Sequence, residues 1–281
     1  MPNTFAEALD TLLADLLETV PLRYRWLLLQ TLYTGSSRRQ GISKLALQPG
    51  SQGLDVGCGF GAMAMEIATA WSCTVDGVDC DSTMLEMARS LSAPMTWLQD
   101  RVHWISGDIL ALPYPDHSQD FVCTRFVLQH VSDPKRAIQE MYRVLRPGGF
   151  VYIEDIDEGM VLQYPAPPPE WSLVLDAFSR LQQARGGDRQ IGRKIPVWLA
   201  QSGFEVQSIE PQWMAQVTRP EPNGPAIQWE IERVALELDA LYAAQLLTPE
   251  EWQKGHARFR DPIADISFQS NASLQIRAQR A

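Results

Sequence analysis

Residues 54–62 read Leu-Asp-Val-Gly-Cys-Gly-Phe-Gly-Ala, a short apolar run carrying one carboxylate and then glycine at three alternate positions. Such a run is a strand turning sharply into a helix. Glycine accepts the left-handed backbone of a tight turn and lacks the Cβ that would hold a bound molecule away from the main chain. From Gln52 onward, short apolar runs alternate with helical periods, the pattern of a parallel sheet covered on both faces. It predicts strands over 53–56, 74–79, 102–106, 119–124 and 149–154, with helices over 61–71, 83–92 and 134–145. Asp133 is the expected N-cap of the last of these helices, with Pro134 in its first turn. The expected fold class is α/β, a doubly wound sheet.

Before this core, Leu9, Leu12, Leu13, Leu16, Leu17 and Val20 recur at spacings of three and four, after a Thr4/Glu7 capping box and before Pro21. A second helix is expected over 22–34, stopped by Gly35, so residues 1–45 read as an N-terminal helical cap to a core over 46–160. After a stiff Pro-Ala-Pro-Pro-Pro connection at 165–169, residues 172–183 and 195–201 read as helices and 203–210 alternates as a strand. Residues 161–281 are then the C-terminal part of the core, with a helical insertion over about 219–262 that shapes a pocket before a last strand at 266–276. That insertion holds a long amphipathic helix with Ile227, Ile231, Val234, Leu238 and Leu241 on one stripe. A helix opened by Thr248, Pro249 and Glu251 follows it.

With 281 residues and 45% apolar character, the chain can bury one large core with additions. A net charge of −10 argues against nucleic-acid partners, since such binding rests on Lys and Arg displacing counterions. The one dense basic pair, Arg38 and Arg39, reads as a solvated loop. Cys58, Cys73, Cys80 and Cys123 lack the close pairing of a zinc site and read as reduced thiols; no metal is expected. The first apolar stretch is broken by Glu7, Asp10, Asp15 and Glu18, which excludes a signal peptide or membrane span there and predicts a soluble, cytoplasmic protein. Apolar helices at both ends could pair two subunits as a homodimer.

Ligands of such sheets bind at the carboxyl edge of the strands, where three carboxylates fall. Asp55 suits a cationic ligand group and would crowd a pyrophosphate at the helix N-terminus. Asp79 closes the second strand, where it can accept ribose hydroxyls. Asp108, after Gly107, closes the third and can accept from an adenine amine. The glycines alone also satisfy a dinucleotide-binding pattern, and Asp79 does not discriminate the two.

Five pieces in fixed order carry a resemblance. They are residues 54–61; 77–79 followed by Met84-Leu85-Glu86-Met87-Ala88-Arg89; Gly107-Asp108; 125–131; and Leu145-Arg146-Pro147-Gly148-Gly149. Together they resemble the class I S-adenosylmethionine-dependent methyltransferases typified by the ubiquinone and menaquinone biosynthesis enzymes, closely over residues 45–160. The resemblance implies a Rossmann-like sheet of seven strands with the last pair antiparallel, S-adenosyl-L-methionine as cofactor, S-adenosyl-L-homocysteine as product and a small-molecule acceptor. It also implies that Asp55, Gly57, Cys58 and Gly59 contact the methionine end and Asp79 the ribose. Cys80, Met84, Gly107, Asp108 and Ile109 form the adenine site, and Arg125 lies along the methionine moiety.

His130, after the fourth strand, matches a position facing the methyl group and is the candidate base, with an intrinsic pKa suited to that work; its alternative is a loop hydrogen bond. One of Glu154, Asp155 and Asp157 could face the pocket, or they cap a loop. Arg193 and Lys194 could clamp an acidic substrate, or are solvated. Trp26, Tyr33, Trp213 and Trp229 could line the pocket, or fill the core. The competing classes are a nicotinamide-dependent oxidoreductase, against which Asp55 and the Leu-Arg-Pro-Gly-Gly segment count; a catalytically silent scaffold, which would be expected to have lost cofactor residues; and an amine-modifying nucleic-acid methyltransferase, which would show Asn or Asp followed by Pro-Pro-Tyr or Phe where this acidic chain has Thr124-Arg125-Phe126-Val127. Whether oxygen, nitrogen or carbon is methylated is not written in the sequence.

Overall fold

The computed structural model describes residues 4–218, 225–260 and 266–281. The five predicted core strands form as β1 (Gln52–Val56), β2 (Thr74–Asp79), β3 (Val102–Ser106), β4 (Gln119–Arg125) and β5 (Leu145–Ile156). They run parallel in the order β3-β2-β1-β4-β5, so the chain winds outward from β1 and returns beside it at β4. A three-residue strand, β6 (Leu162–Tyr164), precedes the two long C-terminal strands β7 (Phe204–Thr218) and β8 (Ser267–Arg280). β8 pairs antiparallel with β5, β6 and β7. The sheet therefore has eight strands where seven are expected. The extra one is exposed and too short to show a period in the sequence.

Alternation along the strands assigns side chains to two faces. On one, Phe121, Cys123 and Tyr152 pack with α1 (Thr4–Asp15), α2 (Leu22–Tyr33) and α4 (Ala62–Trp71) through Leu9, Leu13, Leu28, Met65 and Ile67. On the other, Leu54, Val56, Val122, Val151 and Ile153 meet α6 (Pro134–Val144) and α8 (Ile195–Gln201). Asp133 caps α6 as expected, accepting from Arg136 N at 3.0 Å. A third cluster forms away from the sheet between α7 (Pro169–Ala184) and the helices of the insertion: α9 (Pro225–Ala235), α10 (Leu238–Ala243) and α11 (Pro249–Arg260). At the start of α11, Thr248 and Glu251 close a capping box: Glu251 N donates to Thr248 Oγ1 at 3.2 Å and Thr248 N to Glu251 at 2.8 Å.

Three expectations are corrected. The long amphipathic helix of the insertion is two helices, broken between Ala235 and Leu238; Ile231, Val234 and Leu241 are buried, whereas the side chain of Ile227 lies outside the described residues. Gly35 does not stop the second helix of the cap but starts a third, α3 (Gly35–Ser43), after a bend at Thr34. Arg38 and Arg39, read as solvated, lie on that helix. Arg38 is 2% exposed, grips Glu66 of α4 with two hydrogen bonds of 2.7 and 3.0 Å, and donates to Thr31 O at 2.7 Å. Arg39 bonds Asp10 of α1 and Glu66. The acids that neutralise the pair are 28 and 29 residues away in sequence, so no local window reveals them.

This buried pair fastens the cap helices to α4. Removing one partner of a buried ion pair leaves an uncompensated charge and costs about 3–5 kcal/mol. Glu66→Ala should lose stability by about that amount in denaturant unfolding, and the apolar double replacement Arg38→Met/Glu66→Leu should recover most of it.

Candidate active site

The crevice at the carboxyl ends of the strands, where the winding reverses between β1 and β4, opens into a cavity of about 390 Å³. The eleven residues expected from sequence to hold the cofactor, Asp55, Gly57, Cys58, Gly59, Asp79, Cys80, Met84, Gly107, Asp108, Ile109 and Arg125, line it together with His130.

The turn after β1 is held by its neighbour: Gly57 N and Cys58 N donate to Val78 O at 2.7 and 3.1 Å, and Gly59 N to Asp79 Oδ2 at 2.9 Å. The glycines do different work. A Cβ on Gly57 would meet Val127 at 2.3 Å and one on Gly61 would meet Trp104 at 2.0 Å, so both, at φ of +73° and +77°, allow packing. Gly59, also left-handed at +54°, has only Met84 Cε near its open side, at 3.2 Å. It is the position where the main chain is bare toward the cavity.

Asp55 is 1% exposed, and its Oδ2 meets no donor among the described residues. Burial pushes its pKa up to about 7, opposed by the Ala64 N–H, raised further by Asp79, and opposed again by the charges of Arg38 and Arg125. A buried acceptor with an unused oxygen beside a cavity calls for a donor from the ligand. Asp79 is set differently, since its second oxygen accepts from Asp81 N at 2.9 Å. Burial raises the thiol pKa values of Cys58 and Cys80, which makes them small apolar lining rather than nucleophiles. Asp108 Oδ1 accepts from Leu110 N at 2.8 Å, fixing the loop after β3.

Arg125 lines the cavity, yet its guanidinium is engaged. It donates to Glu154 at 2.7 Å and to Thr34 Oγ1 at 2.9 Å, and it lies 4.1 Å over the ring of Phe126. Phe126 has φ of +59°, a left-handed aromatic residue, and its N–H donates to Glu154 O at 2.8 Å. A bulky side chain stays there only when its surroundings over-determine it.

None of the three acids after β5 lines the cavity. Glu154, 1% exposed, accepts from Arg125, Ser37, Ser273 and Gln275; burial raises its pKa, but the Arg125 charge and these hydrogen bonds outweigh it and hold the carboxyl below its usual range. Asp155 accepts from Gln129 N at 3.2 Å and Ile156 N at 2.9 Å, bracing the turn that carries His130. Asp157 pairs with Arg193, and Lys194 pairs with Asp188, so those two cations are occupied.

His130 ends a short turn, Leu128–His130, with its N–H on Val127 O at 2.9 Å. Its ring is exposed to the cavities it borders, yet enclosing protein lowers its pKa to about 4, aided by the charges of Arg189 and Arg233. It is neutral at physiological pH and a weaker base than its intrinsic pKa promises.

Sequence reasoning missed Tyr24 and Asp81. Asp81 caps α5 (Ser82–Ser92), accepting from Thr83 N at 2.9 Å, and accepts from Tyr24 Oη at 2.6 Å, which latches α2 over the cavity mouth. An Asp just before a helical period is a cap signal that could have exposed Asp81; nothing local marks Tyr24. Of the aromatic candidates, Tyr33 and Trp213 are exposed, Trp26 borders a second cavity, and the Trp229 side chain lies outside the described residues.

The methyltransferase-domain family matches residues 54–153. The chain is 32% identical over 184 residues to the methyltransferase GfsG of Streptomyces halstedii, covering 66% of this chain and 62% of that protein. It is 35% identical over 116 residues to demethylmenaquinone methyltransferase of Staphylococcus epidermidis, covering 41% of this chain and 46% of that one. The chain thus spans 46–62% of the length of these curated relatives. In fold it is similar to phosphoethanolamine N-methyltransferase 2 of Haemonchus contortus, solved with phosphomonomethylethanolamine and S-adenosylhomocysteine. The TM-score is 0.52 at 21% identity, over 87% of this chain and 53% of that one. Residues 54–153 form a methyltransferase domain.

Proposed function

We propose that the protein transfers a methyl group from S-adenosylmethionine to a small-molecule acceptor by direct in-line displacement, releasing S-adenosylhomocysteine. The observation that carries this reading is the unused buried oxygen of Asp55 beside the bare Gly59 backbone, in one cavity with Asp79 and Asp108. Asp55 with Gly57, Cys58 and Gly59 would hold the cationic methionine end, and Asp79 the ribose. Cys80, Met84, Gly107, Asp108 and Ile109 would hold the adenine. Arg125 backs the methionine end while Glu154 and Thr34 hold its guanidinium.

The cofactor supplies a methyl on a positively charged sulfur that departs as a neutral thioether, so the protein's task is alignment in a dry site. Here the Tyr24–Asp81 latch and the cap helices exclude water, and Phe126 and Val127 fix the wall from which His130 projects. His130, neutral, accepts a hydrogen bond from the acceptor's nucleophile and orients it.

Calorimetric titration with S-adenosylhomocysteine, beside NADH and NADPH, should show micromolar binding of the first alone; binding of a nicotinamide cofactor instead would sink the reading. Asp55 adds a pH signature. Its raised pKa means that the unliganded fold prefers the neutral acid: that contribution to stability is fully present below about 4 and lost as pH rises through about 7. A cationic ligand needs the carboxylate, so S-adenosylhomocysteine affinity should rise between pH 6 and 8, and Asp55→Asn should weaken binding and flatten that slope. His130→Ala should leave S-adenosylhomocysteine affinity within twofold and lower kcat by about 10²-fold, the low end for such a group. At saturating S-adenosylmethionine, kcat/KM for the acceptor should show no inflection near 6.5, because His130 has already lost its proton there.

A further inference from the structure

A second cavity of about 350 Å³ shares His130 with the first. Four of the side chains around it are arginines: Arg23 on α2, Arg185 and Arg189 after α7, and Arg233 on α9. In a chain of net charge −10 this is a concentration of the minority sign, and one carboxylate, Glu237, stands among the lining residues. Each guanidinium nearest the protein interior is tethered on one side. Arg189 bonds Glu158 and Gln129, Arg233 bonds Glu230 at 2.6 Å, and Arg185 bonds Glu237 at 2.9 Å.

A guanidinium carries five donors; Arg185 gives one to Glu237 and Arg189 gives three to Glu158 and Gln129, so each of these two keeps N–H groups that a second anion can use. His130 stands beside this cluster: burial lowers its pKa, and the charges of Arg189 and Arg233 add to that effect. Trp26, Phe178 and Leu236 give the wall an apolar stretch, beside Gln182 and Gly187, and Arg233 lies 4.6 Å over the Phe178 ring. Arg193 and Lys194, the sequence candidates for an acid clamp, are paired elsewhere.

We propose that this second cavity is the acceptor site and that it takes a small molecule carrying a carboxylate or phosphate group on an apolar body. The anion is held by Arg185 and Arg189, the body lies against Trp26 and Phe178, and the atom to be methylated stands at His130, where the two cavities meet. This rests on the methyltransferase reading for the identity of the first cavity, but the anion site itself is independent of it. Arg23, at the exposed end of α2, draws the anion in without being needed to hold it.

The test is titration of the full chain with phenyl phosphate, benzoate and neutral benzamide, with and without saturating S-adenosylhomocysteine. At least one of the two anions should bind tenfold or more tightly than benzamide, and which one does separates phosphate from carboxylate. In Arg185→Gln, where the side chain is 51% exposed, and in Arg189→Gln, that preference should drop at least threefold, with the thermal midpoint and S-adenosylhomocysteine affinity as controls. Equal binding of benzamide and the anions, or an anion preference that survives both substitutions, overturns the proposal. A protein that binds the anions but not S-adenosylhomocysteine keeps the anion site and overturns the methyltransferase reading instead.

Discussion

The carboxylate of Glu154 is the point on which the arrangement of the site depends. It lies at the end of the central strand β5, 1% exposed, and accepts from Arg125 on β4, Ser37 on α3, and Ser273 and Gln275 on β8. A buried charge is tolerated only when paired and hydrogen-bonded, so the folded chain must bring these elements together before the charge can be buried. Through Arg125 the constraint passes to Thr34, at the bend between α2 and α3, and so sets where the cap sits over the strand ends. The backbone of the same residue holds Phe126 in its left-handed conformation, which determines the course of the chain to His130.

The two sides of the sheet edge are thus fixed by different means. Around the first cavity the wall is backbone: the turn at Gly57 and Gly59 hangs from β2, and the start of α5 hangs from Asp81. Main-chain hydrogen bonds of this kind give a site little freedom to adapt, as suits a cofactor common to many proteins. Around the second cavity the wall is side chains from α2, which packs on the sheet, and from α7 and the insertion, which pack into their own cluster away from it.

This difference between the two walls explains what the sequence disclosed. The glycine turn, the strand-ending carboxylates and the Asp133 cap are local signals, each carried by residues within one turn of the chain, and they yielded the core strands and the residues of the first cavity. The elements that were misread depend on distant partners. Arg38 looks solvated until Glu66 and Asp10 arrive from other helices, and Glu154 looks like a pocket acid until β8 brings Ser273, 119 residues later. The arginines at 23, 185, 189 and 233 form no run in the sequence, so charge patterning could not expose the second cavity. β6, three exposed residues long, has no period to read.

The position of His130 between the two cavities links their chemistry. Alone, it is depressed by enclosure and by Arg189 and Arg233, and holds a proton poorly. An anion seated beside those arginines would offset part of their field at the ring, the lesser of the two effects, while burial would go on holding the pKa down. Acceptor binding would then strengthen the group that stands at the reacting atom, and only when the acceptor is in place. Selectivity for the acceptor's charge and activation of its nucleophile would follow from the same cluster of guanidinium groups.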